Sequence, residues 1–130
     1  MLTALALLLA VQAAPQLLCT TLSGVTLAEG DKMERTEGPD FDVYYVDGPA
    51  GQFGVYDGYY AQVSGGDAEK AFVIDGHQVN RMRIDGVFRG YLVTGENGAQ
   101  NHFFGAVFKG DASDRAFFDR VHFGGCKRAA

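Results

Sequence analysis

The sequence predicts an all-β fold: a small antiparallel β-barrel or sandwich of about seven to nine strands, with one short C-terminal helix at about 112–120. Three observations carry that prediction. Asp-Gly or Asn-Gly pairs recur at Asp47-Gly48, Asp57-Gly58, Asp75-Gly76, Asp85-Gly86 and Asn97-Gly98. Such pairs suit two-residue hairpin turns, because both residues tolerate positive φ. The stretches between them have strand length and are rich in Val, Ile, Phe and Tyr. Finally, there are 18 glycines without a triplet period and only 3 prolines. Glycines in that pattern read as turns, bulges and close strand crossings.

The elements follow in order. A strand within Thr20–Leu27 comes first, then Phe41–Val46. Phe53–Tyr56 and Tyr59–Val63 read as a tight hairpin about Asp57-Gly58. Ala71–Ile74, His77–Ile84, Val87–Glu96 and Ala99–Phe108 read as four consecutive antiparallel strands. Residues Asp111–Arg120 have helical character: Asp111 can cap, Asp114 lies in the first turn and Arg120 in the last. Phe117, Phe118 and Val121 would dock that helix on the sheet, and Val121–Gly124 would form a last short strand. A segment from Tyr44 to Tyr60 also aligns with Phe72 to Phe88 at an offset of 28. It reads either as a duplicated β unit or as one turn chemistry used twice.

Leu2–Val11 is an apolar run followed by small residues and Pro15. This is the pattern of a signal peptide over 1–14, although no Lys or Arg precedes the run. It is too short for a membrane span, which needs ~20 residues. The β domain then covers 15–126 and a tail 127–130. Lipid attachment at Cys19 fits poorly, because bulky Leu18 precedes it. Two cysteines in an exported chain most simply pair, so Cys19 and Cys126 are expected to form one disulfide. The localisation implied is periplasmic or extracellular.

Two-residue turns would fix the cross-strand pairs. Ile84 then faces Val87, Met82 faces Arg89, Tyr91 faces Phe104, Val93 faces His102 and Val87 faces Phe108. The face holding Met82, Ile84, Val87, Tyr91, Val93, Phe104, Ala106 and Phe108 is assigned to the core. The opposite face holds Phe72, Ile74, Val79, Phe88, Leu92, Phe103, Val107, Arg81 and Arg83. On it Gly90 and Gly105 oppose each other and leave a notch, with Arg81 beside Gly90. An arginine over a notch rimmed by Phe88 and Phe103 can hold a carboxylate, a sugar or a partner side chain. The competing reading is a barrel bend, or a notch filled by Phe117 or Phe118. Tyr56 and Tyr59 flank one turn and are candidate binding anchors, although alternation sends about half of the tyrosines to the core.

Formal net charge is −5, which argues against a nucleic-acid binder. Residues 29–47 hold seven acids (Glu29, Asp31, Glu34, Glu37, Asp40, Asp42, Asp47) against Lys32 and Arg35. This is either a solvated stretch or a patch facing a basic partner. His77, His102 and His122 lack metal-ligand spacing, and no nucleophile elbow or phosphate loop is present. No cofactor is expected. The pattern points to an exported non-enzymatic binding domain, such as a protein-binding or enzyme-inhibitor module. Alternatives are a small anionic-ligand-binding barrel using Arg81 or Arg83, and a hydrolase with an unfamiliar site.

Overall fold

A computed structural model describes residues 16–124 and Cys126. The signal-peptide reading over 1–14 and the tail 127–130 lie outside the described residues. The architecture is a β-sandwich of two antiparallel sheets, not a closed barrel. The small sheet orders β1 (Leu17–Cys19), β2 (Ser23–Thr26) and β10 (Val121–Phe123) as β1-β2-β10. The large sheet is built from β3 (Lys32–Glu37), β4 (Phe41–Gly48), β5 (Gly51–Gly58), β6 (Asp67–Ile74), β7 (His77–Ile84), β8 (Val87–Thr94) and β9 (Gln100–Phe104), in the order β3-β4-β5-β9-β8-β7-β6. A 3₁₀ turn spans Gln62–Gly65, and the C-terminal helix is a 3₁₀ segment, Ala112–Arg120.

Among the described residues ten strands form, more than the seven to nine expected, because β1 and β3 escape the sequence pattern. Every residue of β3 is exposed, so it shows no apolar alternation; its backbone is ordered by pairing with β4. The turns at Asp75-Gly76 and Asp85-Gly86 form as expected. Both aspartates have positive φ, +50° and +52°, and each glycine has φ +78°.

The other pairs behave differently. Gly48 pairs with Gly51, so Pro49-Ala50 make that turn and Asp47-Gly48 stays in β4. The offset-28 alignment therefore matches two dipeptides that turn, Asp75-Gly76 and Asp85-Gly86, to two that lie within strands, Asp47-Gly48 and Asp57-Gly58. No hairpin forms about Asp57-Gly58. β5 runs straight through it and pairs with β4 and β9, because the Asp57 carboxylate points inward to the Thr21 amide and the Asn101 side chain. Thr94 pairs with Gln100, so Asn97-Gly98 belongs to the longer loop Gly95–Ala99. β9 ends at Phe104, and Phe108 does not reach Val87, which is half exposed.

These differences change the register. Tyr91 pairs with Phe103 and Val93 with Asn101, one residue off the expected pairs. Ile84 does pair with Val87 and Arg83 with Phe88, but Arg81 pairs with Tyr91. Between those pairs β8 carries one extra residue: a bulge at Gly90, φ +95°. A Cβ there would lie 2.2 Å from the Phe103 carbonyl oxygen, so only glycine fits. The bulge places Phe88 and Tyr91 on the same face, against the expected split.

The main core accordingly mixes the two expected faces. Ile74, Val79, Tyr91, Val93 and Phe103 are buried in it together, while Met82 and Leu92 lie on the other side of the sheet. The 3₁₀ helix closes the core with Phe118, whose ring centroid lies 5.3–5.8 Å from those of Phe103, Tyr91 and Phe72. Asp114 lies in the first turn, as expected. It is buried and accepts from the Tyr91 hydroxyl and from the amides of Lys109, at 2.9 Å, and Gly110, at 2.7 Å. Burial, then that bond to Asp114, holds the Tyr91 phenol well above its usual range, so it remains a donor.

Cys19 and Cys126 are joined by a disulfide, Cα to Cα 5.3 Å, across 107 positions. The strand expected within Thr20–Leu27 is β2, and it pairs directly with the last strand, β10, while β1 lies on its other side. Among the described residues no helix is long and apolar enough to cross a membrane.

A crosslink enclosing so much chain restricts the unfolded ensemble. Replacing both Cys19 and Cys126 by Ser is expected to cost about 4–5 kcal/mol. Urea unfolding of the variant, and of the wild type with and without reductant, checks this. Equal midpoints would contradict it.

Candidate functional site

Alternation sorts the aromatic residues of the large sheet onto two faces. On β4 and β5, Tyr44, Val46, Phe53 and Val55 are buried in the core. Val43, Tyr45, Gly54 and Tyr56, between them, face away. On β9, Phe103 is in the core while His102 and Phe104 face outward. The outward rows align: Tyr45, Gly54 and Phe104 pair in sequence across three strands, as do Val43, Tyr56, His102 and Leu92 across four.

From these rows Val43, Tyr45, Tyr56, His102 and Phe104 floor a trough of about 1180 Å³ on the outer face. Phe41 and Asp40 border it beside β4, and Phe88, Arg89 and Gly90 beside β8. The 3₁₀ turn contributes Gln62 and Val63; Val63 packs with Ala61, Met82 and Leu92 in a second, smaller core beneath this rim.

The floor is held by ring contacts. A Cβ on Gly54 would lie 2.3 Å from the Phe104 ring, so the ring occupies the space that a side chain would fill. From there Phe104 meets Tyr45 edge-on at 6.1 Å and His102 at 5.2 Å. Tyr56 stacks on Phe41 at 5.7 Å, and its hydroxyl accepts the Tyr60 amide at 3.1 Å. The His102 Nε2 bonds the Arg89 carbonyl at 2.6 Å. A carbonyl only accepts, so Nε2 carries the proton. Burial disfavours the imidazolium and lowers the His102 pKa.

The sequence candidates divide between this trough and the rest of the protein. Tyr56, Phe88, Gly90 and Gly105 line the trough. Phe103 is fully buried in the core, and Tyr59 is exposed beyond the lining. Gly90 and Gly105 do not oppose each other: β8 and β9 pair only from Tyr91 to Phe103 onward, and Gly105 lies against the backbone of Phe53 and Gln52. Arg81 is engaged elsewhere. It pairs with Glu69 at 2.5 Å and lies over the Phe72 and Tyr91 rings at 6.0 and 5.7 Å. Arg83 lies 3.6 Å from the same Glu69.

Tyr45, His102 and Phe104 were not among the candidates. Their signal was present in the alternation of Tyr44-Tyr45 and Phe103-Phe104, but its phase depends on the loop and bulge. Among the described residues no group of three or more His, Cys, Asp or Glu side chains is placed to hold a metal ion. No family model matches the chain, and no curated protein or solved structure proves similar to it.

The His102 environment has a pH consequence. The unfolded chain takes up the proton near the ordinary value, 6.5, and the folded protein only below it. The contribution to stability is therefore complete above pH 6.5 and lost as pH falls through the folded pKa. His102→Gln is expected to flatten the decline in stability below pH 6.5. Urea midpoints across that range test it, and an unchanged slope would refute it.

Proposed function

We propose that this protein is an exported, non-enzymatic binding module that holds a segment of a partner protein in the outer trough. The observation that carries this reading is the ring-packed aromatic floor on the side of the sheet opposite the core. Tyr45 is half exposed there and Tyr60 is 84% exposed, so a partner can desolvate large ring surfaces. Rigid aromatic anchors of this kind dominate binding energy at protein interfaces. The Cys19–Cys126 bond is compatible with an oxidising compartment and supports the export reading.

The anionic-ligand reading is weaker. It relied on Arg81 and Arg83, and both already meet Glu69. The hydrolase reading finds little support in His102, whose Nε2 is committed to a backbone carbonyl.

Panning a random peptide library on the immobilised protein tests the proposal. Enriched peptides are expected to lose about tenfold or more in affinity for the Tyr45→Ala, Phe104→Ala double variant, the scale of a small hot spot. The variant should stay folded, because neither side chain belongs to the main core. Peptides that bind wild type and the variant equally would exclude the trough as the site.

A further inference from the structure

We infer that the segment seated in the trough is basic: an extended polypeptide that sets apolar side chains on the aromatic floor and lysines or arginines against the β3–β4 hairpin. This rests on the trough being the binding site. It adds the charge of the partner, which the aromatic floor alone does not specify.

The trough continues past Tyr45 and Phe104 into a second groove of about 660 Å³, bordered by Glu34 and Asp47 and, across from Asp47, by Lys32, which leaves an excess of one acid there. Glu34 is the cross-strand partner of Tyr45, so a carboxylate lies beside an exposed ring. Asp40 lines the main trough. The hairpin's charges are not internally balanced. Arg35 is shared by Glu37 and Asp42, each at 3.2 Å, and Asp31 is bound by Arg120 at 2.7 Å. Among the described residues Glu29, Glu34, Asp40 and Asp47 have no ion-pair partner, against Lys32 as the one unpaired cation of that stretch. Acids beside an apolar groove draw in a cation that the tyrosine faces can also accept. An acidic segment would meet like charge at Glu34, Asp40 and Asp47, and a neutral glycan could donate hydroxyls to them but would leave their charge uncompensated.

The test uses the intact disulfide-bonded protein and three probes: a synthetic peptide alternating lysine with valine, its glutamate–valine counterpart, and a linear β-1,4-glucan oligosaccharide. Amide chemical shifts locate binding. The lysine peptide is expected to shift Tyr45, Gly54 and Phe104, and to weaken several-fold as salt rises from roughly 50 to 500 mM. Glu34→Gln with Asp40→Asn should weaken it roughly fivefold, the scale of two exposed ion pairs. The inference is overturned if the glutamate peptide binds as tightly, or if the double variant changes nothing. Binding of the glucan alone at Tyr45 and Phe104 would overturn the basic partner and the protein partner but leave the trough as a site. If no probe shifts those residues, both readings fall.

Discussion

A single buried amide ties the two sheets together and fixes which way the aromatic residues face. Asn101 is fully buried on β9, among the apolar residues of the core. Its Oδ1 accepts from the Ser23 hydroxyl at 2.6 Å and the Thr20 hydroxyl at 2.9 Å. Its Nδ2 donates to Asp57 at 3.1 Å, and Asp57 in turn accepts from the Thr21 amide at 2.8 Å. Three parts of the chain therefore meet at one side chain: the β1–β2 turn, β5 and β9. A slip of β9 by one residue would turn Asn101 outward and take one hydrogen bond from each of Asp57, Thr20 and Ser23, which keep their other partners. Each lost bond costs about 0.5–1.5 kcal/mol. The polar knot thus opposes a slip that the apolar residues alone would tolerate better.

With that register held, the rest follows from alternation. Phe103 goes inward to Phe118 and Tyr91, and its neighbours His102 and Phe104 go outward. The Gly90 bulge brings Phe88 against Tyr91 at the edge of the core, from where Phe88 also reaches the end of the trough. At the other end of the small sheet, Arg120 repeats the docking role. It donates to the Thr26 carbonyl and Asp31, and its guanidinium lies over Phe53 and Phe117. The disulfide adds to this by restricting the unfolded chain. The outer face is left free of such duties, which lets it carry aromatic surface that the fold does not consume.

What was legible in the sequence was local. The Asp75-Gly76 and Asp85-Gly86 turns follow from two adjacent residues that accept positive φ. The C-terminal helix shows its Asp111 cap and its two phenylalanines. The all-β class follows from composition and turn pairs, and the cysteine pair from there being two cysteines near the two ends of the domain. What was not legible depends on partners distant in the chain. Asp57 looks like a turn residue until Asn101, 44 positions later, claims its carboxylate. The charged β3 is ordered by β4 and buries nothing that alternation would reveal. The notch at Gly90 and Gly105 required a tight turn at Asn97-Gly98, and the longer loop there moved the facing pairs by one residue. Tyr56 could therefore be picked as a site residue from the chain alone, but Tyr45 and Phe104 could not.

Covalent labelling of tyrosine by nitration, read by mass spectrometry on the folded protein, tests this division of faces most directly. Tyr45 and Tyr60, exposed on the outer face, should be nitrated in the folded protein. Tyr44 and Tyr91, buried on the inner face, should stay unmodified until the protein unfolds. Labelling of Tyr91 ahead of Tyr45 would contradict the register, and with it the assignment of the outer face as the binding surface.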